Sequence, residues 1–166
     1  GIDSELVPKL VENFSTQGYI TNKASLETGL PEGIPVTYRA GDQPNNALSL
    51  NVFNDGEVAA TGGTSGVIYA VTNNKNSKEP SRINHFAHVN YSADNQSIGK
   101  LLCINGAGIM YRWLRNQSSA ESYETMNRKA SKVPIGSDGL VILPFGNGAE
   151  RMLNNRNVGT QFCNIN

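Results

Sequence analysis

Charge is scarce in this chain of 166 residues, and neither sign is in surplus: 14 Lys and Arg stand against 14 Asp and Glu, 17% of the sequence together. Nucleic acid and anionic membrane surfaces both demand an excess of cations, so neither is expected as the main partner. No apolar run approaches the roughly 20 residues that span a bilayer. The opening Gly1-Ile2-Asp3-Ser4-Glu5 lacks the basic-then-apolar order of a signal peptide. Cysteine is nearly absent: Cys103 and Cys163 are far apart, no CxxC occurs, and a secreted disulfide scaffold would carry more. Their apolar neighbours predict buried free thiols, and hence a reducing, cytoplasmic compartment. What the chain does have is Gly (17) and Asn (21), with 38% hydrophobic residues, enough for one domain with a real core. It opens on Gly1 rather than Met and closes on Gln161-Phe162-Cys163-Asn164-Ile165-Asn166 without a polar tail, as expected of a piece of something longer.

Punctuation places the elements. Thr21 or Asn22 can cap a helix over 23–28 that Gly29 ends and Pro31 keeps from continuing. Residues 34–39 read as a short strand entering Ala40-Gly41-Asp42, with Asp42 as a plausible cap and Pro44 in the first turn of the next helix. Over 45–53 the period is ambiguous, but the proline start favours a helix; Asn54-Asp55-Gly56 is a turn. Strands over 58–61 and 67–71 flank Gly62-Gly63-Thr64-Ser65-Gly66, and 83–90 is a further strand candidate. Ile109, Met110, Trp113 and Leu114 recur at helical spacing over 108–116. A polar helix over about 120–129 follows a Ser118-Ser119 cap, and 141–144 reads as a short buried strand. Strands alternating with helices make the class α/β.

Three places can carry chemistry. Asp42, between a strand and a helix, sits at the positive end of the helix dipole, where negative charge is stabilised. A carboxylate so placed can take a proton from a hydroxyl nucleophile, with Gln43 beside it to hydrogen-bond a polyol. A plain N-cap explains the same pattern. The turn with Gly63, Thr64 and Ser65 offers N–H groups and two hydroxyls to an anion, although it lacks the lysine of a Walker loop and also fits an ordinary hairpin. Asn105-Gly106-Ala107-Gly108 opens a helix where backbone can approach a nucleotide, or where a glycine simply allows packing. His85 and His88, at i and i+3 of a strand, point to opposite faces and suit structural roles better than a shared metal. No metal ligands are assigned.

Singly these signals are weak, but their order is specific. Leu6-Val7-Pro8-Lys9-Leu10-Val11, Thr28-Gly29-Leu30-Pro31-Glu32-Gly33-Ile34-Pro35-Val36, Ala40-Gly41-Asp42-Gln43, Gly63-Thr64-Ser65-Gly66-Val67, Phe86-Ala87-His88, Arg112-Trp113-Leu114-Arg115 and Gly139-Leu140-Val141-Ile142-Leu143-Pro144-Phe145 with Gly148-Ala149-Glu150-Arg151 follow one another. This succession resembles the second domain of the FGGY carbohydrate kinases, and the xylulose kinase branch most of all. The resemblance implies a partial ribonuclease-H-like (actin-like ATPase) domain, a mixed sheet with flanking helices. Residues 1–166 would form the N-terminal part of the second domain, without the first domain or the adenine-binding remainder. It further implies ATP-dependent phosphorylation of a sugar hydroxyl, a pentulose such as xylulose, with Asp42 as catalytic base and Gln43 against the sugar. Gly63, Thr64 and Ser65 would approach the phosphates, with Gly108 and Arg112 along the nucleotide and Mg²⁺ held largely by ATP and water. Gln43 is the glycerol-kinase-like choice at its position, so a polyol or sugar acid stays open, as does a non-catalytic actin-like nucleotide-binding module. Such a piece alone is not expected to catalyse. It should expose sheet edge and apolar surface, with self-association, for instance as a homodimer, as the consequence.

Overall fold

A four-stranded antiparallel sheet organises the chain, with two helices before it in sequence and two after it. The computed structural model describes residues 2–165; Gly1 and Asn166, the ends of the segment read above as one partial domain, lie outside it. The elements run β1 (Gly18–Tyr19), α1 (Asn22–Thr28), β2 (Pro35–Val36), α2 (Asp42–Ser49), β3 (Val58–Gly62), β4 (Gly66–Thr72), β5 (Asn84–Ala87) and β6 (Ile98–Ile104). There follow α3 (Ala107–Gln117), α4 (Tyr123–Ala130), β7 (Val141–Leu143), β8 (Ala149–Glu150), β9 (Arg156–Asn157) and β10 (Gln161–Cys163).

The sheet order is β3-β4-β6-β5, and two-residue or three-residue ribbons β1-β2, β7-β10 and β8-β9 stand apart from it. Every pairing among the described residues is antiparallel. Alternation along β4 sends Val67, Tyr69 and Val71 inward, where they meet Ala47 of α2, Val52, Ala59 of β3 and Leu101 of β6. The Tyr69 ring fits only because β6 carries Gly99: a Cβ there would fall 1.8 Å from the tyrosine oxygen.

Local signals placed the helices well. Thr21 caps α1 by accepting from the Ala24 amide at 3.2 Å, and Gly29 ends it at φ 76°, a left-handed geometry that glycine adopts without steric cost. At α2 the cap is Gly41 rather than Asp42, which is instead the first helical residue.

Other expectations are corrected. Only Pro35 and Val36 of the strand read over 34–39 are paired, and β5 stops at Ala87. The polar helix starts later, on a Ser122 cap that accepts from the Thr125 amide, because Ser118 closes α3. The strand at 141–144 is not buried, since Val141 is 48% exposed. Cys103 is half-buried and Cys163 exposed, both free, against the buried pair expected. β6, a central strand, is not among the strands read from the sequence: its inward positions are Gly99, Leu101 and Cys103, only one of them a large aliphatic residue. Leu10, Leu26, Trp113 and Ile135 are among the large apolar side chains left exposed.

Candidate functional site

The residues singled out from the sequence fall into two cavities that share no lining residue. The first, about 400 Å³, is bounded by Asn13, by residues 39–44 leading into α2, and by Phe86 and Ala87 at the end of β5. Asp42 and Gln43 stand side by side in it. Asp42 is exposed; its Oδ1 accepts from the Gln43 amide at 2.9 Å and its Oδ2 from the Gln43 side-chain amide at 3.5 Å. No cation pairs with it among the described residues, so the carboxylate keeps lone pairs free for a ligand hydroxyl. Arg39 lines the same cavity and is steadied by donating from Nε to Gln17 Oε1 at 2.8 Å.

The second cavity, about 210 Å³, is lined by Gly63, Thr64, Gly108, Ile109, Arg112 and Tyr123. Its floor is a junction of backbones. The β3-β4 turn passes so close to the start of α3 that a Cβ on Gly108 would sit 2.0 Å from the Gly63 carbonyl oxygen. The Thr64 carbonyl accepts from the amides of Gly108 (3.0 Å) and Ile109 (3.3 Å), satisfying two of the free N–H groups of the helix start. Gly63, Thr64, Gly108 and Arg112 are thus brought together. Ser65 is not among the lining residues; its hydroxyl donates to the Asn105 carbonyl at 3.4 Å.

Two residues of this region were not singled out from the sequence for what they do here. Tyr123 packs against Tyr111 (centroids 5.4 Å apart) and under the Arg115 guanidinium at 4.8 Å, which fixes its ring at the cavity edge. Glu150, fully buried, accepts from the Asn105 amide with both oxygens, at 3.3 and 3.2 Å, and so anchors the loop that opens α3. Neither was legible: Tyr123 lies in a polar helix, and the partner of Glu150 is a backbone group 45 positions away. Burial pushes the Cys103 thiol above its ordinary value, with Ser65 acting against and Glu150 adding to that shift.

A third cavity, about 370 Å³, lies beside α3 between Ile109, Met110, Trp113, Phe145 and Phe162. No group of three His, Cys, Asp or Glu side chains that could hold a metal ion occurs among the described residues. No helix among them is long and apolar enough to cross a membrane. His88 is fully buried and hydrogen-bonded within the fold, as a structural histidine should be.

The donor set of the second cavity fits a polyphosphate: a glycine turn, the Thr64 hydroxyl, and a guanidinium, Arg112, with no carboxylate partner among the described residues. A carboxylate and an amide line one cavity, and a phosphate-suited turn lines the other. The fold is the actin-like α/β ATPase fold of solved sugar kinases, and the chain is similar in sequence to proteins named gluconokinase and xylulose kinase. It is 28% identical to a gluconokinase of Bacillus subtilis over 99% of its length and 33% of that protein. It is also 28% identical to a xylulose kinase of Haemophilus influenzae, over 87% of this chain and 28% of the relative. Among solved structures, the xylulose kinase of Rhodospirillum rubrum matches with a TM-score of 0.79 and 26% identity, across 99% of this chain and 33% of that one. No protein-family model matches the chain. It spans about a third of the length of these relatives.

Proposed function

We propose that this chain is the N-terminal part of the second domain of an ATP-dependent carbohydrate kinase, acting on a pentulose such as D-xylulose. The observation that carries the reading is the pairing of an exposed, cation-free Asp42 in one cavity with a glycine turn, a threonine and a free guanidinium in another. Asp42 acts as general base: it takes the proton of the sugar hydroxyl as that oxygen attacks the γ-phosphorus, and ADP leaves in line. Gln43 holds a neighbouring hydroxyl and, through its amide on Asp42, orients the base. Gly63 and Thr64 lie along the β- and γ-phosphates, with Gly108 and Arg112 further along the nucleotide, while Ser65, bonded to the Asn105 carbonyl, braces the turn. Mg²⁺ carried on the nucleotide would supply charge neutralisation there. The ATP supply places the reaction in the cytoplasm. The exposed apolar side chains are in keeping with further packing partners, a second copy included.

A sugar acid is the second reading, favoured by Arg39, a cation in the same cavity as Asp42, and by the gluconokinase relative. The test is sugar-dependent ADP release from the full protein over a panel of pentuloses, sugar acids and polyols. Turnover with one pentulose that falls about 10²–10⁴-fold in Asp42→Asn is expected. Turnover confined to a sugar acid and lost in Arg39→Gln selects the second reading. Silence across the panel with ATP still bound points to a non-catalytic nucleotide-binding module.

A further inference from the structure

The backbone that leaves β5 knots together every wall of the Asp42 cavity. Phe86 and Ala87 form one wall. The next three residues reach Asn13, Tyr69 and the segment 52–53 between them. His88, fully buried, places Nε2 3.0 Å from the Val52 carbonyl and Nδ1 3.1 Å from the Tyr69 hydroxyl. The Val89 carbonyl accepts from Asn13 Nδ2 at 3.2 Å, and Asn13 is itself a wall of the cavity. Asn90 donates from Nδ2 to the Phe53 carbonyl at 3.3 Å. Val52 and Phe53 come after Leu50 and Asn51, which close α2, and the Val52 amide is bonded back to Ala47 within the helix, at 2.9 Å. The helix that begins with Asp42 is therefore tied at its far end to the strand segment that forms the opposite wall.

The protonation of this knot is fixed by its chemistry. A carbonyl only accepts, so Nε2 carries a proton; in the neutral imidazole, the form that burial favours, Nδ1 accepts from the Tyr69 hydroxyl. Burial holds it below its ordinary value of 6.5, against the pull of the Val52 carbonyl. A buried polar group with both valences satisfied specifies one arrangement of its neighbours, and one that loses a partner does not.

We infer that residues 88–90, with His88 at their centre, are positioning residues for the base: they set where the start of α2 stands relative to Phe86, Ala87 and Asn13, and so where Asp42 meets its acceptor. The inference rests on the reading of this cavity as the acceptor site. It is tested with His88→Gln, whose side-chain amide can donate to Val52 and accept from Tyr69, and His88→Leu, which keeps the bulk and loses both bonds. In the amide NMR spectrum of the chain, the signals of Gly41, Asp42 and Gln43 should move in His88→Leu and return toward their original places in His88→Gln. Those of Thr64, Ser65 and Gly108 should stay in both. In turnover, His88→Leu should lower kcat and raise the KM for sugar by about 10-fold or more while the KM for ATP holds, with His88→Gln largely restored. A folded His88→Leu whose Gly41, Asp42 and Gln43 signals do not move overturns the inference, as does a loss that falls equally on both substrates. Should His88→Leu not fold, Asn90→Ala removes only the bond to Phe53 and must move the same three signals; unmoved signals then overturn it. An unaltered protein that turns over no sugar refutes the kinase reading, and the NMR result still decides the positioning role.

Discussion

Around Asp42 the walls are joined by side chains: Asn13 to Val89, His88 to Val52 and Tyr69, Asn90 to Phe53. Around Thr64 they are joined by backbone, the Thr64 carbonyl on the amides of α3 and Gly108 against Gly63 with no room for a methyl group. Gly106 repeats the device behind it, since a Cβ there would fall 2.0 Å from the Pro144 carbonyl oxygen. A joint made of side chains can be retuned one residue at a time. A joint made of backbone contacts admits almost no substitution.

The sharpest way to break the comparison is Gly108→Ala. Its methyl group would meet a carbonyl oxygen of another segment, and neither partner is a flexible side-chain tip that could swing away. The turn and the helix must separate, with a cost of about 3 kcal/mol, a melting temperature roughly 6–12 °C lower, and loss of nucleotide binding in calorimetry. If Gly108→Ala melts and binds like the original, the backbone joint is not what holds the second cavity.

A middle-sized effect belongs to Glu150, where one buried side chain serves the backbone joint. Glu150→Ala removes the acceptor of the half-buried Asn105 amide and leaves it without that partner. A loss of about 1–3 kcal/mol in denaturant unfolding is expected. Nucleotide binding should weaken more than sugar binding, because the loop it anchors leads into α3. The reverse order would show that the two cavities are mechanically coupled and the contrast between them too sharply drawn.

The same contrast explains what was legible in the sequence. Joints made of glycine announce themselves: Gly63, Gly66, Gly106 and Gly108 stood out as a turn and a helix start, although nothing in their spacing said that the two touch. Caps and turns at Thr21, Gly29 and Asn54-Asp55-Gly56 were legible because their partners lie within a few residues. The side-chain joint was not. His88 could be given a structural role, but its partners Val52 and Tyr69 lie 36 and 19 positions away, and only the folded sheet brings them together. β6 escaped for a related reason. Its inward face carries Gly99 under the Tyr69 ring, which interrupts the apolar alternation that marks a half-buried strand.

The mildest test removes one atom from the side-chain joint. Tyr69→Phe keeps the ring against Gly99 and the core, and takes away only the hydroxyl that donates to His88 Nδ1. If side-chain joints give way gradually, the cost near neutral pH should be about 1 kcal/mol, well below that of the single methyl at Gly108. The variant should also leave a mark in alkali. Burial pushes the Tyr69 hydroxyl up to about 12 from an ordinary 10.0, so the folded state keeps a proton that the unfolded state gives up between those values. The native state therefore binds more protons in that window, and stability falls as pH rises through it, having been fully present below 10. Tyr69→Phe has no such group, so the stability difference between the original and the variant should shrink as pH rises from 10 towards 12. Denaturant unfolding at a series of alkaline pH values reads this directly. A difference that stays constant across the window would mean that the hydroxyl ionises as readily in the fold as out of it, and that the His88 knot opens without cost.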